Sequence, residues 1–292
     1  MVESLRGDGL NIDEMVTEIQ DKHRIVGRGS ELKRALAAKL AERHLMIEGN
    51  IGTGKTVIAK SLAGYFDQSF MRVDGDERFT EHKLVGHFDP PMVVKEGYTW
   101  GSFIEGPLTR AMKSGGILLI NEINRLLETT QNVLLTAMDE GQIIIPKLGT
   151  VRAEKGFMII ATQNPSEYVG TTALSEALRD RFVWIWLDYQ NEDEEKRIVR
   201  IWTHNRKADQ IDIAVKICRM TRECSDVRRG ASVRGAIDIA NLIRSFPATE
   251  ENWILTSVMS LATKIELMDG CGRTVEEVIT HCVKQVLQPD FQ

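Results

Sequence analysis

The chain has 292 residues, a formal net charge of −5, 42% hydrophobic and 27% charged residues. That is the balance of an ordinary globular protein, long enough for one large domain or a core with a smaller companion. No apolar run approaches membrane-spanning length and Met1 to Gly9 carry no signal-peptide stretch, so the expected address is cytoplasmic with no membrane partner; no basic excess points to nucleic acid.

Residues 1–22 are polar and weakly patterned and read as an N-terminal arm or a short amphipathic helix. Ile25-Val26-Gly27-Arg28 follows. An apolar pair beside a glycine, just ahead of a buried strand, fits an adenine-pocket wall (Val26) and plain core packing equally well. Ser30 is the expected N-cap of a helix running through Ala41. His44 to Glu48 then reads as a short buried strand, and Val57 to Phe66 carries apolar residues at helical spacing.

Between strand and helix lies Gly49-Asn50-Ile51-Gly52-Thr53-Gly54-Lys55-Thr56, which fits the phosphate-loop pattern G-x-x-x-x-G-K-S/T in the strand–loop–helix context that the pattern requires. Glycines let the backbone fold closely around phosphates, so that its N–H groups and the helix N-terminus face negative charge. Lys55 is the expected partner of the β- and γ-phosphates and Thr56 of Mg²⁺, with Val57 opening the helix, which makes ATP and Mg²⁺ the expected cofactors.

Four further apolar runs, Ser69 to Val73, Gly116 to Ile120, Phe157 to Ala161 and Phe182 to Leu187, bring the strand count to five; strands alternating with helices predict an α/β parallel sheet covered on both faces. The third strand ends in Asn121-Glu122. Phosphate-loop ATPases usually carry Asp-Glu there, the Asp supporting Mg²⁺ through its waters and the Glu polarising the attacking water, so Glu122 is the expected catalytic base. Asn121 keeps an acceptor oxygen but lacks the charge, predicting weakened Mg²⁺ affinity with retained hydrolysis. Asn164, at the tip of the fourth strand and followed by Pro165, is placed to hydrogen-bond the γ-phosphate or orient the water.

Two segments break the strand–helix rhythm. Residues 86–106 are rich in Gly and Pro with aromatics expected to be exposed (Phe88, Tyr98, Trp100, Phe103), and residues 141–156 read as a β-hairpin turning at Lys147-Leu148-Gly149-Thr150. Arg181, after Arg179, closes a helix just before the last strand. It lies too far from its own phosphates and is placed to reach a neighbour's, although an ordinary salt-bridged arginine reads the same and Arg179 is not separable from it.

From residue 190 on, strands stop and helices take over: Asp193 to Trp202 with Ile198, Ile201 and Trp202 on one face, Ile211 to Cys224, a helix opened by Ser232 with Arg234 in its first turn, Asn252 to Leu267, and a last helix behind the capping box Thr274-Val275-Glu276-Glu277. An arginine at a helix start opposes the dipole, which suggests a task beyond helix stability. The four cysteines, Cys218, Cys224, Cys271 and Cys282, form no C-x-x-C pair and read as buried free thiols.

The segments GNIGTGKT (49–56), GPLTRAMKSGGILLINEINR (106–125), TQNVLLTAMDEGQIIIPKLG (from 130), IATQNPSEYVGTTALSEALRDRF (from 160) and GASVR (230–234) together resemble the MoxR branch of the AAA+ ATPases across nearly the whole chain. The resemblance implies a five-stranded αβα core over residues 23–189, with the inserts at 86–106 and 141–156, then a helical lid over 190–292. It also implies ATP bound at subunit interfaces of a homo-oligomeric ring of six, with Lys55 and Thr56 as Walker A, Glu122 as the Walker B glutamate, Asn164 as sensor 1, Arg181 as the finger and Arg234 as sensor 2. Members of this branch look like chaperones that remodel protein clients, often with a von Willebrand factor A partner and often for metal-cofactor insertion. The stretch NPSEYVGTTALSEALRDR (164–181) also resembles a gas-vesicle-type ATPase. A nucleic-acid motor would need basic insert tips, and Lys95, Lys147, Arg152 and Lys155 stand there among Glu96 and Glu154. Asn121 additionally raises a weakly hydrolysing, nucleotide-gated scaffold.

Overall fold

The computed structural model describes residues 11–164 and 174–288. By its internal contacts the chain divides into a first unit reaching Asp188 and a second from Tyr189, with residues 51–53 grouped with the second.

The first unit opens with α1 (Ile12–His23) and α2 (Gly29–Leu40) and continues through β1 (His44–Gly49), α3 (Lys55–Tyr65), β2 (Phe70–Asp74) and α4 (Glu81–Val85). Then come β3 (Gly86–Phe88), α5 (Pro90–Glu96), β4 (Phe103–Glu105), α6 (Pro107–Ser114), β5 (Ile117–Asn121) and α7 (Glu128–Asp139). The hairpin β6 (Gln142–Ile145) and β7 (Gly149–Arg152), then β8 (Met158–Gln163), α8 (Glu176–Arg179) and β9 (Phe182–Leu187) complete it. The five long strands pair in the order β2-β5-β8-β1-β9, every pair parallel. Helical crossovers are what parallel strands require, and they cover both faces.

Strand periodicity divides the core in two. Leu45, Ile47, Ile117, Leu119 and Ile160 pack on one face with α1, α2 and α3, while Met46, Leu118, Ile120, Ile159 and Ala161 pack on the other with α4, α6 and α7. Each fully buried aliphatic side chain contributes about 1.5–3 kcal/mol, so β1, β5 and β8, which supply these residues, are the most heavily stabilised part of the sheet.

Several sequence expectations change here. Of the two readings of residues 1–22 the amphipathic helix holds for α1, but it is part of the core and no free arm: Met15, Val16 and Ile19 are buried there, and Asn11 caps it through Oδ1. Ser30 lies inside the first turn of α2, and the N-cap is Arg28 in the left-handed region at φ 61°. The 86–106 insert is an antiparallel β3–β4 ribbon carrying α5. Phe103 is buried and Phe88 half-buried, leaving Tyr98 and Trp100 as its exposed aromatics. In the hairpin Ile145 faces Gly149 across the pair, so the turn is Pro146-Lys147-Leu148, with Lys147 at φ 71°, and Thr150 is already in the strand.

The second unit holds α9 (Glu192–Trp202), α10 (Ala208–Glu223), β10 (Val227–Arg229), α11 (Val233–Leu242), α12 (Glu250–Leu261), β11 (Glu266–Leu267) and α13 (Val275–Leu287). It is helical apart from the small antiparallel β10–β11 pair, which shortens the helix expected over 252–267. On α9 the buried side chains are Glu195 and Val199, while Ile201 and Trp202 are exposed. The capping box at Thr274 forms as its residue types predict: Glu277 N–H donates to Thr274 Oγ1 and Thr274 N–H to Glu277 Oε2. Cys218 and Cys282 are buried; Cys224 and Cys271 are only half-buried.

Candidate nucleotide site

Parallel strands deliver their C-terminal ends to one edge, and the residues singled out above collect there. The β1–β8 register sets Glu48 opposite Gln163, and the β2–β5 register sets Asp74 opposite Asn121. The loop from Gly49, Asn121-Glu122 and Asn164 therefore leave from neighbouring strand tips, the usual place for ligands in an open α/β sheet.

The loop's backbone demands its glycines. Gly52 and Gly54 stand at φ 80° and φ 98°, which side-chain-bearing residues rarely adopt. Gly54 is the N-cap of α3, so Lys55, Thr56 and Val57 form the first turn and turn their N–H groups toward the loop. Thr53 is buried; Ile51 and Val57 are exposed at 37% and 46%. Lys55 Nζ donates to the carbonyl oxygens of Gly49 at 2.6 Å and Asn50 at 2.9 Å, holding its charge over the loop. Ile25 packs on the core, and Val26 beside it is half-buried.

At the tip of β5, Glu122 has left-handed backbone angles (φ 55°, ψ 54°), an uncommon conformation for a side-chain-bearing residue. Its N–H donates to Thr162 Oγ1 at 3.1 Å, and its carboxylate pairs with Arg125 at 2.8 Å. The Thr162 hydroxyl donates in turn to Asn121 Oδ1 at 2.8 Å, and Asn121 Nδ2 donates to Asp74 Oδ1 at 3.1 Å. Asn164 is 3% exposed. Sequence reasoning missed Thr162, Asp74 and Arg125. Thr162 reads as one more strand residue, Asp74 as a strand terminus, and only the sheet register brings both to Asn121.

Two expected residues stand elsewhere. Arg181 lies at the opposite, N-terminal end of the strands, where its guanidinium grips Asp139 at the end of α7 through Nε–Oδ1 at 2.7 Å and Nη2–Oδ2 at 2.9 Å. This pair holds the Asp139 carboxyl below the usual carboxylate range. A cavity of about 620 Å³ lies beside them, lined by His44, Met138, Asp139, Arg181 and Phe182 among others. Arg234 is exposed in the first turn of α11, in the second unit. The residues 165–173 of the quoted family segment, Pro165 included, lie outside the described residues.

The donor set suits a hard cation carried by phosphates. Thr56, Asn121 and Glu122 offer oxygen atoms only, and among the described residues no cluster of three or more His, Cys, Asp or Glu forms an all-protein metal cage. Magnesium commonly takes one or two protein oxygens and fills its sphere with waters and phosphate.

Residues 44–182 match the AAA domain of the dynein-related subfamily. Proteins described as uncharacterized in several Staphylococcus aureus strains are 32% identical over 211 residues, covering 70% of this chain and 80% of theirs. Among solved structures, a candidate ATPase from Cytophaga hutchinsonii is similar in fold, with TM-score 0.55, 22% identity and 97% of each chain covered. A Thermotoga maritima RuvB variant is similar at TM-score 0.50 and 19% identity, over 91% of this chain and 72% of that one. The chain belongs to the AAA+ ATPase family. Its fold is the five-stranded parallel AAA+ core followed by a helical C-terminal region.

Proposed function

We propose that the protein is a MoxR-like ATPase that hydrolyses ATP at the edge formed by β1, β5 and β8 and uses the energy, in a homo-oligomeric ring, to remodel or activate a protein client. The observation that carries the reading is the meeting of the phosphate loop, Asn121-Glu122 and the buried Asn164 at that one edge. Lys55 would neutralise the phosphates, and Thr56 and Asn121 would hold Mg²⁺, which would supply neutralisation of the charge that develops on the γ-phosphate. Glu122 leaves Arg125 to polarise the water, and Asn164 orients it. Arg181 serves a neighbouring protomer, which is consistent with its lying at the far end of the strands, and Arg234 reports on the γ-phosphate. The exposed aromatics Tyr98 and Trp100 and the 142–152 hairpin are the surfaces offered to a client, with a von Willebrand factor A protein as a further partner.

Steady-state hydrolysis per protomer, measured across protein concentrations, tests this directly. Activity per protomer is expected to rise with concentration and to fall about 10³-fold in Arg181→Ala, the usual scale for a trans arginine. Nucleotide binding without turnover at any concentration would overturn the hydrolytic reading in favour of a nucleotide-gated scaffold.

A further inference from the structure

Asn121 leaves the tip of β5 one negative charge short, and the structure holds a carboxylate one strand away. Asp74, the last residue of β2, pairs in register with Asn121 and accepts a hydrogen bond from its Nδ2 at 3.1 Å. The other end of the amide is fixed as well, since Asn121 Oδ1 accepts from Thr162 at 2.8 Å. Reversing the amide would turn its oxygen onto the Asp74 carboxylate, so Asp74 sets which end of Asn121 faces which neighbour.

The chain after Asp74 maintains this contact. Gly75 N–H donates to the Asn121 carbonyl oxygen at 2.7 Å. A Cβ at residue 75 would run into the Glu122 carbonyl oxygen, so glycine is required for the two strand tips to approach this closely. Arg72 donates to Asp74 through Nε at 3.0 Å and Nη2 at 2.6 Å. These bonds and the one from Asn121 all converge on Oδ1, leaving Oδ2 without a protein partner among the described residues. Arg72 is itself 44% exposed, so water and salt screen its charge.

We propose that Asp74 supplies the carboxylate that residue 121 lacks, the two positions together forming the acidic side of the magnesium–nucleotide site: an amide on β5 and a charge on β2. The inference rests on the nucleotide-site reading above. It explains how an Asn at the end of β5 is compatible with a metal-dependent nucleotide, and it names a residue that the phosphate-loop pattern does not include.

The test is a Mg²⁺ titration of the full-length protein bound to a fluorescent N-methylanthraniloyl ADP, compared with binding of the same nucleotide in EDTA. Asp74→Asn retains an oxygen able to accept from Asn121 and removes only the charge. It is expected to weaken Mg²⁺ about tenfold, near 1.4 kcal/mol, while metal-free nucleotide binds as well as before or better. The exchanged pair, Asp74→Asn with Asn121→Asp, is expected to return Mg²⁺ affinity to within about threefold of the parent, as the charge is restored one strand over. Unchanged Mg²⁺ dependence in Asp74→Asn overturns the proposal alone, as does an exchanged pair no better than the single variant at an unchanged thermal midpoint. A parent protein whose nucleotide affinity ignores Mg²⁺ overturns the metal-site reading and the proposal together.

Discussion

His44 illustrates how a single side chain reports on packing. It opens β1, accepts a hydrogen bond from Ile159 N–H through Nδ1 at 3.0 Å, and rests edge-on against Phe157. Burial pushes its pKa from 6.5 down to about 4, opposed by its bond to the Met138 carbonyl and reinforced by Lys39 and Arg43. The folded protein therefore keeps His44 neutral where the unfolded chain takes up a proton. The stability this gives is complete above pH 6.5 and is lost as the pH falls toward 4. A shift of that size corresponds to roughly 3 kcal/mol. Urea unfolding at about pH 7 and about pH 5 is expected to show roughly 2 kcal/mol of that loss, and His44→Gln to flatten the slope. The glycines of the 49–56 loop, by contrast, are legible in the sequence because they answer a local demand, the left-handed backbone at Gly52 and Gly54. Thr162, Arg125 and Asp74 carry no such local signature; their roles arise from neighbours 40, 3 and 47 positions from residue 122 or 121.

Among the elements, strands with uninterrupted apolar runs were found within a residue or two, because a strand buried on both faces leaves no polar alternation to misread. Helix α9 was harder. Its apolar Ile201 and Trp202 suggest a buried face, yet the element turns Glu195 inward instead. That carboxylate, 3% exposed, pairs with Arg222 at 2.9 Å and Arg219 at 3.2 Å. Arg222 also donates to the Ala231 carbonyl oxygen at 2.6 Å and stacks over Tyr189 at 3.9 Å. The network thus joins the start of the second unit to the loop that precedes α11. Glu195→Ala would leave two arginines facing a buried void and is expected to cost about 3–5 kcal/mol, read as a lower denaturant midpoint for the second unit. Substituting a well-packed apolar set for all three charges is expected to restore much of that loss, since a buried ion pair's desolvation cost offsets most of its attraction.

At the scale of the molecule, a ligand that binds only the folded state must stabilise it. ATP at about 100 times its dissociation constant is expected to add about 2.7 kcal/mol, seen as a higher thermal midpoint. Lys55→Ala should lose most of this gain, since the lysine is the cation held over the loop by its bonds to the Gly49 and Asn50 carbonyl oxygens. Sequence alone determined the fold class, the strand–loop–helix at residues 44–66, the placing of Glu122 and Asn164 at strand tips, and the helical C-terminal region, because each is written in local spacing, periodicity or residue chemistry. Tertiary structure decided that α1 belongs to the core, which side chain of α9 is buried, that Arg181 is held by Asp139, and that a carboxylate accompanies Asn121. Those facts depend on sheet order and register, through which residues far apart in the chain come within hydrogen-bonding distance, and no local window of sequence contains that information.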